Sequence, residues 1–500
     1  MTSAQNRPQL LSGNNTILFL LSLFLIVALS ACDPIKKIPD TSGGGELDPV
    51  TGKDNNPSNN GTGEDIVKVV SKPEAPDTVR WIPVNPSDGG VTPVDPNPKD
   101  PTDPDPNNPI DTVTSDPINP NNKANIPSGV IKSSYDVAVL LPLYSADFAS
   151  TKKLPKRNST GRKSLDFYEG VLMGLRKVEA EGGTMTVNVF DTRSNSISSL
   201  VEKSEVKNAD FVIGPVSVGN VKEFANYAKQ NGNIMLSMNS SEGIAIDNPY
   251  YMQASPSFST HCETIAKYAK DKYSNGNVVL LGRGNEATSF EKFQSANTNI
   301  NGGANRYNEY FVSGTSVNYD IRSITSYLSK TDTNVVIIPS NNEGFVKSML
   351  RELSLIHRTY PMVVFGLPRW TRFYNISPDH LTKLNVHLTS SVYINRKDPN
   401  VQAFKLAYFN EYGAAPTVES FKGYDFAMYF GRLLKSQGTN LLQGLESNPS
   451  KLLHSEVNFR PSYTPMPANA MGEGLQKVKQ FENKYINILR YDNFQFVRMH

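Results

Sequence analysis

Short apolar runs alternate with longer amphipathic stretches from Tyr135 onward. The first runs are DVAVLLPL (136–143), TMTVNVFD (184–191), FVIGP (211–215) and NIMLS (233–237). The first three precede helical patterns over 164–181, 196–207 and 219–229, and the fourth precedes a polar loop. After Ser257 the alternation restarts, with apolar runs at 277–282, 307–312, 334–340 and 361–366 and helical patterns to Tyr273 and over 287–296, 321–329 and 343–355. Nearly continuous apolar strands separated by helices are typical of parallel sheets covered on both faces.

Two such sets predict an α/β fold with two lobes in residues 128–500. This region also holds 44 of the 47 aromatic residues, so it contains the material for the cores. Ligands of open parallel sheets bind beyond the carboxyl ends of the strands. We therefore expect a ligand site in a cleft between the two lobes.

The N-terminus carries an apolar run, Ile17–Leu29, after a polar stretch whose one charged side chain is Arg7. Thirteen residues are too few to span a bilayer comfortably and suit the core of a signal peptide. The run ends in Leu29-Ser30-Ala31-Cys32, which resembles the lipobox of bacterial lipoproteins. The resemblance implies removal of residues 1–31, lipidation of Cys32 and a membrane anchor. An ordinary signal peptide followed by a chance cysteine is the alternative.

Residues 32–127 are predicted to form a disordered tether. They are rich in Pro, Asn and Asp, and they hold 18 of the 34 prolines but one aromatic residue, Trp81. Such a composition cannot bury enough apolar surface to offset the entropy of ordering. An apolar island at 65–82 interrupts the tether, and two interpretations stay open: a docking strand and a chance patch.

Charge separates the chain in the same way. Residues 33–127 contain 8 Lys and Arg against 16 Asp and Glu, whereas residues 128–500 contain 41 against 32. The overall net charge of +2 is therefore an average of an acidic tether and a basic body. This distribution argues against a uniformly basic nucleic-acid binder, so we expect no nucleic-acid partner.

Several motifs in the body resemble the type I periplasmic-binding family. They are Val137–Leu143 with Gly170, Gly182-Gly183 and Asp191; Phe211–Ser217; Leu236–Ser241; and Gly423-Tyr424-Asp425. The resemblance implies a two-lobed clamshell of parallel sheets flanked by helices, in which the chain crosses between lobes several times. It places the first lobe at about 133–255 and 388–438. The second lobe then covers about 256–387 and 439–500.

Two groups within that family compete. In the amino-acid receptors of ABC importers, loops matching Ser217 and Asn239-Ser240-Ser241 bind the carboxylate of the ligand. Membership would imply a small polar, amino-acid-like ligand and an ABC permease as partner. In the lipoprotein activators of peptidoglycan synthases, the same fold contacts a protein partner from the outer membrane.

Two further places are candidates for the rim of the cleft. The loop Tyr144–Lys163 carries six basic residues against Asp147 alone and could hold an anionic partner or be a solvated loop: Lys152, Lys153, Lys156, Arg157, Arg162 and Lys163. Arg369 and Trp370 follow an apolar strand and could meet a ligand together. Packing of Trp370 between the lobes is the alternative.

Patterns for catalysis are poorly supported. Gly282–Ala287 fits G-x-G-x-x-A, but the next strand lacks the acidic residue expected for a dinucleotide ribose. The chain has no H-E-x-x-H and no G-x-S-x-G, its six His are scattered, and Cys262 falls on an apolar helical stripe. We therefore expect no catalytic residues, metal or cofactor, and an enzyme ranks third.

The sequence thus predicts a non-catalytic, lipid-anchored binding protein of the cell envelope. Capture of a small polar ligand is the leading function, and regulation of peptidoglycan synthesis through protein contact is the alternative. The outer membrane facing the periplasm is favoured over the inner membrane, and surface exposure stays open.

Overall fold

The computed structural model describes residues 130–238, 247–273, 276–302, 305–315, 318–465 and 476–499. The predicted signal peptide, Cys32, the tether with its island, and the candidates Asn239, Ser240 and Ser241 lie outside the described residues. Within the described segments, no helix is long and apolar enough to cross a membrane.

Strands and helices alternate along most of the described chain. The strands are β1 (Tyr135–Leu141), β2 (Met185–Asp191), β3 (Phe211–Ile213), β4 (Met235–Ser237), β5 (Tyr251–Gln253), β6 (Asn277–Gly282), β7 (Asn308–Phe311), β8 (Ser313–Thr315), β9 (Asn318–Asp320), β10 (Asn334–Ile337), β11 (Met362–Gly366), β12 (His387–Ser390), β13 (Ser450–Lys451), β14 (Glu456–Val457), β15 (Phe459–Pro465), β16 (Gln476–Asn483), β17 (Asn487–Asp492) and β18 (Gln495–Arg498). The α-helices are α1 (Ser145–Thr151), α2 (Thr160–Ala180), α3 (Ile197–Leu200), α4 (Ser204–Lys207), α5 (Val218–Asn231), α6 (Phe258–Lys272), α7 (Ala287–Asn301), α8 (Glu343–Ile356), α9 (Pro378–Lys383), α10 (Pro399–Tyr412), α11 (Val418–Gln437) and α12 (Leu441–Gly444). Short 3₁₀ helices lie at Gly284–Glu286, Arg322–Tyr327, Pro368–Arg372, Gly438–Asn440 and Leu445–Ser447.

The first sheet has the strand order β15-β16-β5-β4-β3-β1-β2. Its strands are parallel except for the edge pair β15 and β16, which is antiparallel. Alternate residues of β1 enter different cores, because successive side chains of a strand point to opposite faces. Val137 and Val139 pack on the face covered by α2 and α11, whereas Ala138 and Leu140 pack on the face covered by α5. The expectation of a sheet covered on both faces is confirmed.

The second sheet repeats this design with the order β18-β17-β12-β11-β10-β6-β7. Strands β7, β6, β10, β11 and β12 are parallel, and β17 and β18 are antiparallel to their neighbours. Val336 packs in the core that contains the buried residues of α8, and Val335 packs on the opposite face with α6 and α7. Two mainly parallel sheets flanked by helices confirm the predicted fold class.

The course of the C-terminal part differs from the sequence prediction. Residues 439–500 were expected in the second lobe, yet β15 and β16 belong to the first sheet. The reason lies in β16, whose Val478 and Phe481 are fully buried in the core of the first sheet while its backbone pairs with β5. Strand β12 at the other boundary stays in the second sheet, although residues from 388 onward were expected in the first lobe.

The chain passes between the two sheets at three places. The first crossing joins β5 to α6, the second joins β12 to α10, and the third joins β16 to β17. Helices α10 and α11, which follow the second crossing, pack with α2 of the first lobe. The crossings therefore lie side by side at the junction of the lobes.

Local differences from the sequence prediction have simple causes. The helix expected over 196–207 is split into α3 and α4, because its buried residues Leu200 and Val206 are six positions apart and do not follow one helical face. The helix expected over 321–329 is the 3₁₀ turn Arg322–Tyr327. The loop expected over 144–163 contains α1 and the first turn of α2.

Helices α2 and α11 touch backbone to backbone at glycines. A Cβ atom at Gly170 would lie 2.1 Å from the carbonyl oxygen of Ser420, and one at Gly423 would lie 2.0 Å from that of Phe167. No side chain fits at either place, because both neighbours are main-chain atoms. This contact holds the returning helix α11 against the first lobe.

A half-buried acid marks the contact between α2 and α10. Glu169 of α2 accepts a hydrogen bond from the hydroxyl of Tyr408, and its backbone carbonyl accepts one from Tyr412 at 3.2 Å. Burial raises the pKa of Glu169 to about 7, with contributions from Asp166 and Glu411, and the bond from Tyr408 and the charge of Arg162 lower it only partly.

Cys262 lies in the core between α6 and the second sheet, fully buried and in no disulfide. The single cysteine of the body is therefore a packing residue, as its place on an apolar stripe predicts.

We expect Gly170→Ala and Gly423→Ala each to lower the free energy of unfolding by about 3 kcal/mol, because the helices must separate to admit a methyl group. Gly219→Ala in α5 is the matched control, since a Cβ there meets nothing within 4 Å. That control should be neutral or stabilising. Urea denaturation monitored by circular dichroism measures all three, and an unchanged stability of Gly423→Ala would contradict the helix contact.

We expect the free energy of unfolding to fall by about 1–2 kcal/mol between pH 4.5 and pH 7 because of Glu169. A carboxyl with a raised pKa binds its proton more tightly in the folded state, so its contribution is full below the ordinary pKa and is lost as the pH rises through 7. Glu169→Gln should remove this slope, and Glu179→Gln, an exposed acid on the same helix, should leave it in place. Urea midpoints across the pH range give the slopes, and identical slopes for the wild type and Glu169→Gln would exclude the effect.

Candidate functional site

The carboxyl ends of the parallel strands carry most of the residues that the sequence singles out. In the first sheet, β1 leads to the basic loop, β2 ends at Asp191, and β3 leads through Gly214-Pro215 to Ser217. In the second sheet, β6 leads to Arg283, and β11 leads to the turn that holds Arg369 and Trp370. These ends are where the topology predicts ligand binding.

Asp191 organises the carboxyl edge of the first sheet. Its carboxylate accepts hydrogen bonds from the backbone N–H of Leu143 (2.9 Å), Ser145 (2.8 Å) and Arg193 (2.9 Å), and from the hydroxyl of Ser145 (2.7 Å). Burial of the carboxyl works to raise its pKa, but these hydrogen bonds outweigh it and hold the pKa of Asp191 below its ordinary value. The guanidinium of Arg193 lies 5.0 Å from the ring centroid of Tyr144. A buried anion thus fixes the start of the basic loop.

We call residues Tyr144–Lys163 the basic strap. Five of its six cationic side chains are exposed, and Arg162 is half-buried and pairs with Asp166 at 2.7 Å. The structure places the strap directly after the carboxyl end of β1, on the side of the sheet where Ser217 also lies. Its six basic residues therefore share one edge with a candidate ligand residue.

Ser217 caps helix α5. Its hydroxyl accepts a hydrogen bond from the backbone N–H of Asn220 at 3.3 Å, and its side chain is exposed. The preceding Gly214 has a φ of +97°, and a Cβ there would lie 2.2 Å from the carbonyl oxygen of Leu140, so only glycine fits this turn. The turn aims the N-terminus of a 14-residue helix at the carboxyl edge. The neighbouring candidates Asn239, Ser240 and Ser241 lie outside the described residues.

The side chains of Arg369 and Trp370 lie in different surroundings, one exposed and one buried. The Trp370 side chain is 2% exposed in the second core, and its indole N–H donates to the carbonyl of Ser340 at 2.9 Å. A Cβ at Gly366 would lie 2.4 Å from the indole, so the ring packs on the strand itself. The structure thus shows Trp370 packed within the second lobe, whereas Arg369 is exposed at the strand end.

Arg283 is a further charged residue at this edge, and sequence analysis passed over it. Its guanidinium donates to Glu286 at 2.7 Å and lies 4.4 Å from the ring centroid of Phe345. Glu286 also accepts from the hydroxyl of Ser340 at 2.8 Å. The signal was present in the sequence, because Arg283 directly follows an apolar strand. The sequence argues against dinucleotide binding by the Gly-rich pattern around it, and in the structure this pattern forms the 3₁₀ turn Gly284–Glu286 that precedes α7.

The first and third crossings share a buried ionic network. Glu482 of β16 accepts from the backbone N–H of Ser257 (2.7 Å), the hydroxyl of Thr260 (2.7 Å) and the ammonium of Lys484 (2.8 Å). Burial works to raise the pKa of Glu482, but the charge of Lys484 and these hydrogen bonds outweigh it and lower the pKa. Since Glu482 belongs to the first sheet and Thr260 to helix α6 of the second lobe, the network joins the lobes.

The second crossing is held by another buried pair. Asp425 of α11 accepts from the backbone N–H of His454 at 2.8 Å, and its carboxylate lies 2.6 Å from His454 Nδ1. The carbonyl of His454 accepts from the backbone N–H of Tyr393, which lies on the crossing itself. The Asp of the Gly423-Tyr424-Asp425 motif thus serves the junction of the lobes.

Metal sites and cavities are the other kinds of site that the described part of the chain could hold. No group of three or more His, Cys, Asp or Glu side chains there could hold a metal ion. A cavity of about 310 Å³ lies at the amino ends of the first-sheet strands, away from the carboxyl edge. Its lining includes Lys132, Asp210, Tyr250 and Thr439, and the Lys132 ammonium pairs with Asp210 at 2.5 Å.

Several solved structures are similar to this chain, and one of them, with a TM-score above 0.5, shows the same fold. A protein from Rhodospirillum rubrum, described as a branched-chain amino acid ABC transporter, has a TM-score of 0.51 at 17% identity, covering 73% of this chain and 99% of that one. An ABC transporter substrate-binding protein from Desulfitobacterium hafniense in complex with Leu has a TM-score of 0.44 at 15% identity over 73% and 100% of the two chains. Full-length LpoA from Haemophilus influenzae has a TM-score of 0.48 at 14% identity. The match covers 75% of this chain and 60% of the LpoA chain.

Comparison with curated proteins gave no match. A family model described as periplasmic binding protein matches residues 165–460, more than half of the chain. This match covers strands of both sheets and the first two crossings, and it ends before the third. It confirms the family that the motifs resembled, and the chain belongs to the periplasmic binding protein family.

Proposed function

We propose that this protein is a non-catalytic extracytoplasmic receptor that binds a small polar ligand with a carboxylate between its two lobes. The observation that carries the proposal is the exposed N-terminus of α5, which Ser217 caps at the carboxyl edge of the first sheet. The first backbone N–H groups of a helix have no partner within it, and the helix dipole makes this end positive. A carboxylate bound there would accept hydrogen bonds from these N–H groups and would place its negative charge at the positive end of the dipole.

Space for the ligand exists in front of this helix. A Cβ built at Gly219, in the first turn, meets nothing within 4 Å, and Val218 beside it is 58% exposed. The hydroxyl of Ser217 is bonded to Asn220, so the N–H groups of Val218 and Gly219 are the donors that a carboxylate would meet. In this proposal Asn239, Ser240 and Ser241 supply further polar contacts from the loop after β4.

The second lobe would contribute cations. Arg369 is exposed at the end of β11, and Arg283 is half-buried at the end of β6. The two strands belong to one sheet, with β10 between them. Closure of the lobes would bring this edge toward the ligand, and a higher affinity of the closed state would drive the movement.

The crossings suit such a movement. Their charged groups are satisfied at the junction itself, Glu482 by Ser257, Thr260 and Lys484, and Asp425 by His454. A rotation that bends the backbone between these groups need not expose an unpaired charge, which would cost several kcal/mol. The lobes could therefore move while the junction stays intact.

The location completes the proposal. We propose that the chain is exported, lipidated at Cys32 and held at the periplasmic face of the outer membrane by the tether 32–127. An ABC permease is then the proposed recipient of the ligand.

A second proposed function is regulation of peptidoglycan synthesis through direct contact with a synthase. The basic strap favours it, because a row of exposed cations suits a protein surface better than a small ligand enclosed in a cleft. The two functions differ in one measurable respect: a receptor has a saturable small ligand, and a contact regulator needs none.

We expect one class of small molecule, among amino acids, short peptides and sugars, to raise the melting temperature in a thermal-shift screen. For the compound found, Ser217→Ala should weaken the affinity about tenfold in calorimetry, because the cap that orders the helix N-terminus is lost. Ser196→Ala, which removes the equivalent cap of α3, is the matched control. If a carboxylate ligand binds Ser217→Ala and Ser196→Ala with equal affinity, the proposed position at the N-terminus of α5 is wrong. A screen without any hit would favour the contact regulator.

We expect mass spectrometry of the mature protein to show a chain that begins at Cys32 and carries attached acyl groups. Cys32→Ser should release the protein into the soluble fraction of the envelope, because a tether without acyl chains has no membrane affinity. Cys262→Ser leaves the signal sequence intact and should stay with the membrane fraction. An unmodified mature N-terminus would exclude the anchor.

A further inference from the structure

The basic strap is ordered without a core of its own. Helix α1 within it has no buried residue, and it lies between two residues with left-handed backbone, Tyr144 (φ 58°) and Lys152 (φ 56°). Asn158 is also left-handed, with a φ of 67°. Such conformations are unfavourable for bulky side chains, and they persist where the surroundings hold them or a function requires them.

Both ends of the strap are fixed at one point. Asp191 binds the backbone of Leu143 and Ser145 at its start, as described above. At its end, a Cβ at Gly161 would lie 2.8 Å from the ring of Tyr144 and 3.4 Å from Pro155. The strap therefore closes on itself at its base, and the part between the ends projects from the first lobe as a preorganised loop.

The projecting part is cationic with an apolar residue among the charges. Arg162 at the base pairs with Asp166, but in the described chain no ion pair involves the other five basic side chains: Lys152, Lys153, Lys156, Arg157 and Lys163. Leu154 lies between them in sequence and is 43% exposed. Unpaired cations around an exposed leucine form a surface that offers both electrostatic attraction and an apolar contact.

We propose that the basic strap is the docking surface for an acidic protein segment that also carries apolar side chains. The exposed cations supply attraction and orientation for carboxylates, and Leu154 supplies a contact that a bare anion cannot use. A lipid surface fits less well, because membrane-binding segments need a broad apolar face, and Leu154 is the single large apolar side chain exposed in the strap. This docking goes beyond ligand capture, since it uses the exposed side chains of the strap and not the helix N-terminus that Ser217 caps.

The position of the strap adds a geometric argument. The described chain enters the first lobe at Val130, whose backbone pairs with Thr439 beside the amino ends of the strands. The strap follows the carboxyl end of β1, at the opposite edge of the same sheet. A partner on the strap is therefore bound at the edge away from the point where the chain enters the body.

The test uses the full chain and a fluorescein-labelled twelve-residue peptide of glutamates with two central leucines. Replacing all five unpaired cations by Ser should weaken binding in fluorescence anisotropy at least about tenfold and flatten its dependence on salt. The matched control replaces five exposed lysines elsewhere by Ser, with the same loss of charge: Lys207, Lys272, Lys330, Lys347 and Lys451. This control should change the affinity less than about twofold, since distant surface charges are screened.

Further measurements distinguish an acidic peptide with leucines from a purely acidic peptide and from a lipid surface. Leu154→Ser should weaken the peptide about threefold and leave binding of a leucine-free glutamate peptide unchanged. Binding should also persist in Ser217→Ala, so failure of ligand capture and failure of docking are distinguishable. An equal loss in the control variant would overturn the proposal, and so would vesicles of anionic lipid that bind through the strap more tightly than the peptide. If the five-fold variant does not fold, a photo-crosslinking group on the peptide should label residues 144–163 of the wild type, and labelling elsewhere would exclude the strap.

Discussion

The backbones of α2 and α11 touch directly, and the two-lobed arrangement of the chain depends on this contact. The two helices are far apart in sequence, and the whole second sheet as far as β12 lies between them. Glycines at 170 and 423 allow an approach that every other residue would prevent. Because α11 packs there, the chain must leave the second lobe after β12 and return to the first, and this return is the second crossing. The Asp of the same Gly-Tyr-Asp motif then fixes the second crossing through His454.

At the carboxyl edges of the two sheets, the carboxylates are buried and hydrogen-bonded, whereas most of the cations are exposed. Asp191, Glu286 and Glu482 are buried, and each accepts several hydrogen bonds that hold loops or lobes in place. Their negative charge is therefore used internally, and the pKa of each is lowered by its partners against the opposing effect of burial. Among the cations, the strap lysines and Arg369 stay exposed. The outward-facing charge of these edges is consequently positive, although the protein as a whole is nearly neutral.

Much of this fold follows from local pattern, and its departures have a common cause. Strands such as Val137–Leu141 are apolar on both faces, and this periodicity identifies them without further information. The partner of β5 could not be found in this way, because β16 holds only two apolar residues, Val478 and Phe481, at no regular spacing, and its pairing depends on a distant contact. Trp370 shows the same limit at the site: an aromatic residue after a strand reads equally as a ligand contact or as packing, and only the proximity of Gly366 and Ser340 decides. The position of Ser217 at the start of a helix was identifiable because its turn and its helix are both local, and its contact with a ligand stays a prediction.

The pairing of β5 with β16 has a consequence for how the protein reaches its folded state. Asn483 at the end of β16 and Ala254 after β5 are hydrogen-bonded partners 229 positions apart in the chain. Until the last part of the polypeptide has emerged, β5 is an unpaired edge of a parallel sheet, which is a template for association with other chains. The second lobe, by contrast, can assemble its parallel strands β6 to β12 from one continuous stretch. Connectivity thus makes both sheets wait for the C-terminal part of the chain: β15 and β16 complete the first sheet, and β17 and β18 complete the second.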